Sequence, residues 1–249
     1  MKAALRWLGC VGVAALALQL FFVVRIAAMA VIDPQSTAFQ RSEAWRTATQ
    51  GRANGGREWQ QRWVPYAQIS DALKRAVIAS EDSEFVYHQG VEWESIERAR
   101  QRNAKAEELA LRRAAQMRAR GKEPRPPQLR GGSTITQQLA KNLFLSGERT
   151  MLRKGQELVL ATALELLLSK ERILEIYLNN VEWGEGVFGA QAASHRYFHA
   201  DVARLTAAQA ARLAVMLPAP KRFELHPDGP YVMARSAVIV ARMPAVDLP

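Results

Sequence analysis

Hydrophobic positions along the chain fall into two regimes: an unbroken apolar run near the amino terminus, then a series of segments in which apolar residues return every three or four positions. Residues 7–24, WLGCVGVAALALQLFFVV, carry no charge and one strongly polar side chain, Gln19, over a length sufficient to span the hydrocarbon of a bilayer. Apolar character resumes after Arg25 in IAAMAVI. The run is longer than the core of a secretory signal, so it reads as a retained anchor in preference to a cleaved leader, despite the A-x-A pattern of Ala28 and Ala30. Basic residues flank both ends, Lys2 and Arg6 before and Arg25, Arg41, Arg46 and Arg52 after, and their count leaves orientation open.

Residues 33–65 are polar, with a turn signal at Asn54-Gly55-Gly56 and tryptophans at 45, 59 and 63, and read as a linker that docks onto the domain behind it. In ISDALKRAVIASEDSEF, Asp71 is the expected N-cap, and Leu73, Ala76, Val77 and Ser80 keep helical spacing that brings Glu81 and Asp82 to the helix end. Thr134 with Gln137 makes a capping box, followed by Ile135, Leu139 and Leu143 along one face. Within 150–168, LVLATALELLL is apolar nearly all round and predicts a helix buried on every side. Ser169 can cap KERILEIYLNN, GAQAASHRYF gives another helix, and Thr206 with Gln209 opens AAQAARLAVML before Pro218 stops it. Pro230 suits the first turn of a final helix ending near Met243. No alternating pattern of useful length predicts a strand, and no internal repeat is found. The expected fold is all-α: an anchor over 1–32, a linker over 33–65 and one domain over 66–249.

Composition changes this picture in two places. Lys+Arg at 34 against Asp+Glu at 24 leaves a formal charge of +10, which favours anionic partners without choosing among phosphates, acidic lipids and nucleic acid. Residues 97–130 carry eleven basic and four acidic side chains, a net +7, and end in GKEPRPPQLR; a solvated helix with a proline-broken loop is preferred over a mobile flap or a contact with anionic headgroups near the membrane. The one cysteine, Cys10, lies inside the apolar run, so the domain has no internal disulfide or cysteine metal cluster.

Three groups of residues could carry chemistry. Glu157 enters the most apolar helix, where a carboxylate is costly unless paired, and Arg153 four residues earlier shares its face; a structural ion pair and a functional cluster are equally compatible with that spacing. Glu81 and Asp82 precede an abrupt aromatic and glycine turn in EDSEFVYHQG, where one carboxylate can react while the other orients or caps; His88 reads as packed or hydrogen-bonded rather than catalytic. In RGGSTITQQLAKNLFL, a glycine pair leads into a helix N-terminus beside Ser133 and Thr134, with Lys141 two turns on, an arrangement that suits a phosphate without Walker spacing. Capping explains Thr134 but not Gln137, Gln138, Lys141 and Asn142 together.

AVIASEDSEFVYHQGVEW, GGSTITQQLAKNLFL, RKGQELVLATALELLLSKERILEIYLNN and GVFGAQAASHRYF, in this order, resemble the successive motifs of the peptidoglycan glycosyltransferases, specifically the monofunctional biosynthetic transglycosylases. The resemblance runs from about residue 63 to residue 243 and implies an all-α, lysozyme-like domain tethered by one transmembrane helix. It implies lipid II and the nascent glycan strand as substrates, joined by a β-1,4 bond with inversion and loss of undecaprenyl pyrophosphate. By motif, Glu81 becomes the general base on the acceptor 4-hydroxyl and Asp82 positions that region. Glu157 would assist at the donor pyrophosphate, directly or through a divalent cation (Mg or Mn), while Lys141, Arg149 and Arg153 neutralise the leaving group. Ser133, Thr134, Gln137, Gln138 and Asn142 would line the donor groove. The implied setting is the bacterial inner membrane, single-pass with a periplasmic catalytic domain, in contact with membrane lipids and cell-wall synthesis proteins and with no nucleic acid partner.

Ser83 and Glu84 depart from the basic residues frequent after the acidic pair, Gln209 replaces a usual glutamate, and the span 93–131 is longer than the family pattern. Neither S-x-x-K nor K-T-G occurs, which points to the monofunctional branch rather than the penicillin-binding one. Two other readings compete: a lysozyme-like glycan hydrolase, which needs neither anchor nor cationic cleft, and a basic membrane-anchored protein that binds nucleic acid or anchors a complex.

Overall fold

Most helices of the domain begin where the sequence supplies a side-chain oxygen to cap them, and the computed structural model, which describes residues 2–49, 59–119, 123, 132–145, 147–148 and 150–249, bears out the expected all-α class. Helix α1 (Lys2–Ala28) contains the apolar run and is a candidate membrane span, with a mean hydropathy of 2.2 over its best 18-residue window. Its end is seated on the domain. Ile26 and Met29 are buried, Phe22 meets Phe144 edge-on at 5.3 Å, and Arg172 donates to the Met29 carbonyl and to Asp33, each at 2.7 Å.

Within the segment read as a linker, residues 38–49 form a helix, α2 (Ala38–Thr49), entered through a reciprocal Thr37–Gln40 cap, and both capping residues are buried. The Asn54-Gly55-Gly56 turn signal lies outside the described residues. Strand β1 (Gln60–Gln61) follows, and Asn179 pins the chain after it by accepting from the Val64 N–H and donating to the Val64 carbonyl.

Helix α3 (Asp71–Glu81) is capped by Ser70, whose hydroxyl accepts from the Leu73 N–H, and not by Asp71. Asp71 stands one position inside, where its charge favours the helix N-terminus and pairs with Lys74 at 3.0 Å. Helix α4 (Trp93–Ala119) covers most of the basic segment. Helix α5 (Ile135–Phe144) opens with the expected Thr134–Gln137 capping box and buries Ile135, Leu139 and Leu143.

Helix α6 (Met151–Leu167) departs from the expectation of burial on every side. Glu157, Leu160, Ala161 and Leu164 are buried, whereas Leu152, Val159 and Leu166 are exposed, Leu152 at 86 %. The helix lies at the edge of the domain beside α1, so one apolar face packs on α5 and the other has no protein against it among the described residues. Helix α7 (Lys170–Asn180), capped by Ser169, leads into strands β2 (Glu182–Gly184) and β3 (Val187–Phe188). The strands form a small sheet in the order β1-β3-β2, with β1 parallel and β2 antiparallel to β3. No strand was expected; two or three residues are too few for alternation to show.

Gly189 turns the chain out of β3 at φ +80°, and a Cβ there would stand 2.6 Å from the Asn179 carbonyl oxygen, so only glycine fits. Helices α8 (Ala190–Phe198), α9 (Ala207–Met216), α10 (Pro220–Phe223) and α11 (Pro230–Arg242) complete the chain, with the expected Thr206–Gln209 box on α9 and Pro230 at the first position of α11. The core gathers around α9, which packs on α3 and α11, while α5 packs on α6 and α7 and so carries its N-terminal turn between the two halves.

Candidate active site

The N-terminal turn of α5 is the hub. Its first free backbone donor, the Ile135 N–H, is taken by Asp82 Oδ2 at 2.9 Å, which places a buried carboxylate at the positive end of the helix. His88 donates from Nε2 to the same carboxylate at 2.9 and 3.0 Å, and its Nδ1 accepts from the Gly90 N–H at 3.1 Å, so the ring is held in one tautomer. Thr134 closes the loop by donating to the Gly90 carbonyl at 2.6 Å. Gly90 sits at φ +84°, and a Cβ there would press on Glu165 and the Ala161 carbonyl. Asp82 is therefore engaged by protein on both oxygens, and His88 is hydrogen-bonded, as expected.

Glu81, one residue earlier, is differently placed. It is half-buried at the end of α3, with Oε2 accepting from Gln138 Nε2 at 3.0 Å and Oε1 from the Ser80 hydroxyl at 3.4 Å. Gln138 is itself oriented, since its Oε1 accepts from the buried Tyr177 hydroxyl at 3.0 Å. Burial pushes the Glu81 carboxyl up; the hydrogen bonds from Gln138 and Ser80 oppose that rise, Asp82 adds to it, and the charge of Lys141 lowers it. Burial also pushes the Tyr177 phenol well up, with Glu81 and Asp82 adding to the shift, so it remains a donor. This is a carboxylate with a raised proton affinity, fixed in direction and partly open to solvent, the profile of a general base.

The second cluster lies on α6. Glu157 is 3 % exposed and accepts from Arg153 at 2.9 Å on one oxygen and from Lys154 at 2.5 Å on the other. Arg153 and Glu157 thus share a face as their spacing predicted, and Lys154 joins them. Lys154 also donates to the Ser133 hydroxyl at 3.4 Å, which ties this cluster to the turn that holds Glu81 and Asp82. Gly132, Ser133, Gln137 and Lys154 line one side of a cavity of about 520 Å³. Gln137 is 1 % exposed; its Oε1 accepts from the Thr134 N–H, and its Nε2 has no partner among the described residues.

Of the other sequence-derived residues, Gln138, Lys141 and Asn142 share one face of α5 at helical spacing, with Lys141 exposed and Asn142 half-buried. Lys141 acts electrostatically on Glu81. Arg149 and Gly131 lie outside the described residues. Sequence reasoning singled out neither Tyr177 nor Lys154 as a site residue. The i,i+3 spacing of Lys154 to Glu157 could have found the latter; nothing local marks Tyr177, 39 residues from its partner Gln138.

The chemistry of the donor set bears on a divalent cation. Both oxygens of Glu157 are engaged by cationic side chains, and the described residues contain no group of three His, Cys, Asp or Glu that could hold a metal. The side chains of the described residues do not build a site for Mg or Mn.

A family model described as Transglycosylase matches residues 47–244. A biosynthetic peptidoglycan transglycosylase of Paraburkholderia xenovorans (strain LB400) is 50 % identical over 98 % of the chain and 94 % of its own length. One from Burkholderia pseudomallei (strain K96243) is 51 % identical over 98 % and 88 %, and one from Cupriavidus metallidurans (strain CH34) is 46 % identical over 98 % and 100 %.

Proposed function

The chain belongs to the peptidoglycan transglycosylase family, and from that premise we propose that it polymerises lipid II into β-1,4-linked glycan, with inversion at the donor sugar, Glu81 as general base and undecaprenyl pyrophosphate as leaving group. Transfer within peptidoglycan synthesis is its activity; the atoms and residues are the proposal. The acceptor 4-hydroxyl attacks the donor anomeric carbon from the face opposite the diphosphate. As the new C–O bond forms, the hydroxyl proton passes to Glu81, and the bond from the anomeric carbon to the diphosphate oxygen breaks with its electron pair leaving on the diphosphate.

The observation that carries this reading is the division of charge about the N-terminal turn of α5. On one side stands Glu81, a single carboxylate of raised proton affinity held by an amide; on the other, Lys154 and Arg153 hold Glu157 beside the cavity lined by Ser133 and Gln137. A base must be ionised and reach the acceptor, while a departing diphosphate needs fixed positive charge. Lys154 and Arg153 supply that charge, with the backbone of Gly132 and Ser133, Thr134, Gln137 and Gln138 shaping the donor groove and Asn142 and Lys141 continuing it along α5. Arg149 is assigned to the same cationic set by motif alone.

α1 would anchor the enzyme in the inner membrane, single-pass, with residues 66–249 forming a periplasmic catalytic domain. The exposed apolar face of α6 beside α1 supports an active site held at the lipid surface, where a polyprenyl substrate resides. Detergent-solubilised protein given labelled lipid II should yield polymeric glycan and one undecaprenyl pyrophosphate per bond formed. Cleavage of finished glycan with no polymer would instead make it a hydrolase.

A further inference from the structure

The cavity beside Lys154 has a second wall, and it comes from α4, the helix whose basic sequence reads first as a solvated face. Residues 96, 99, 100, 103, 104 and 107 form one stripe of that helix, since each has another of them three or four positions away, and they face Gly132, Ser133, Gln137 and Lys154 across the opening. Ala99 at the base of the stripe is 5 % exposed.

The arginines of α4 divide by face. Away from the cavity, Arg98 pairs with Glu92 and Glu94, and Arg112 pairs with Glu108, both arrangements typical of a solvated helix. Arg100 lines the cavity, and no carboxylate among the described residues pairs with it. Opposite it stand the Lys154 ammonium, the Ser133 hydroxyl and the Gln137 amide, whose buried Nε2 has no hydrogen-bond partner among the described residues. Hydrogen-bond donors therefore look into the space from both walls. Glu107, on the same stripe seven residues beyond Arg100, sits roughly 10 Å along the helix and leaves the Arg100 end cationic.

A space of this size, with a guanidinium on one wall and an ammonium on the other, fits a diphosphate attached to a sugar better than a neutral glycan. We propose that α4 forms the second wall of the donor site and that Arg100 contacts a phosphate oxygen of the donor diphosphate from the side opposite Lys154. The inference rests on the lipid II reading above and adds a donor-binding residue from outside the motifs that suggested it. A guanidinium presents two parallel N–H groups to a phosphate, so lysine at this position would serve only in part.

The test uses the full chain in detergent, with steady-state polymerisation of labelled lipid II and inhibition by inorganic pyrophosphate. Arg100→Gln should raise KM for lipid II by about five- to tenfold and weaken pyrophosphate inhibition by a similar factor. Arg102→Gln, the same charge change two residues on at a side chain that donates to the Arg98 carbonyl and lies off the stripe, should change either by less than about twofold. Arg100→Lys should fall between. Ala104→Trp, at an exposed stripe position, should reproduce the KM defect by filling the cavity while leaving thermal unfolding unchanged. Equal effects of Arg100→Gln and Arg102→Gln, or no effect of either in an enzyme that polymerises lipid II, would refute the α4 contact alone. Failure of the unaltered enzyme to polymerise lipid II would refute the reading beneath it.

Discussion

Gln138 donates from Nε2 to Oε2 of Glu81 at 3.0 Å, and because Tyr177 donates to the other end of the same amide at 3.0 Å, the direction of that donor is fixed. Rotating the amide would break both contacts and turn an oxygen toward the carboxylate. Tyr177→Phe removes the lock. An unsatisfied buried acceptor costs about 1–3 kcal/mol, so turnover should fall roughly tenfold as the amide loses its preferred orientation. Since the Gln138 hydrogen bond holds the Glu81 proton affinity down against burial, weakening it should move the acid limb of the kcat/KM–pH profile to higher pH. A Tyr177→Phe enzyme with an unchanged acid limb would remove Gln138 from the control of Glu81.

Glu81→Gln separates catalysis from stability. The amide cannot accept the acceptor's proton, so polymerisation should drop by about 10²–10⁴-fold. Burial disfavours the ionised carboxylate in the native state, so its stability contribution is present below the unfolded pKa and is lost as pH rises through the raised native one. At neutral pH a neutral isostere removes that burden, and the variant should melt no lower than the parent. Turnover and melting temperature measured on one preparation decide the matter, and near-normal turnover would overturn the assignment of Glu81.

Glu157 carries the opposite expectation. Its two oxygens hold Arg153 and Lys154, so Glu157→Gln strands two cations at a mostly buried site and should cost about 2–4 kcal/mol, less than a fully enclosed pair because Lys154 reaches solvent. Lys154→Met keeps the Arg153–Glu157 pair at 2.9 Å and should melt within about 2 °C of the parent while losing about 100-fold in turnover, the scale of removing one group that stabilises developing negative charge. If Lys154→Met lost stability and kept its rate, the cluster would be structural only.

How far the site could be read in advance follows from the sequence distance of each contact. The Thr134–Gln137 and Thr206–Gln209 boxes and the Arg153–Glu157 pair span three or four residues, and periodicity exposes them directly. The cap of α3 slipped by one because Ser70 and Asp71 are both competent caps, and only the position of the Leu73 N–H selects between them. The expected burial of α6 exceeds what is found because a helix with one open apolar face and one enclosed by protein can have the same composition; Leu152, Val159 and Leu166 are exposed. Tyr177 to Gln138 and Gln138 to Glu81 cross 39 and 57 residues, and no local signal announces either.

Glu182 on β2 is the buried carboxylate that the proposed reaction leaves unused, and it sets a pH dependence of its own. It is 6 % exposed, and Lys221 of α10 stands 3.5 Å away but is drawn more closely to Glu43 of α2, with Arg46, Glu185 and Glu224 nearby. Burial is the largest cause that pushes Glu182 up to about 7, Glu43 and Glu224 add to it, and Lys221 opposes it. Between the unfolded value of 4.5 and about 7 the native chain holds a proton that the unfolded chain has released. The contribution is therefore complete below 4.5, shrinks as pH rises through about 7, and is lost above it. Glu182→Gln, which cannot ionise, should flatten the melting temperature across that window and raise it by several degrees at pH 8, at about 2–4 °C per kcal/mol for a domain of this size. Thermal unfolding of parent and variant at pH 5 and pH 8 checks this: the two should differ little at pH 5 and most at pH 8. A constant gap at both would show that Glu182 stays ionised, with Lys221 as its effective partner.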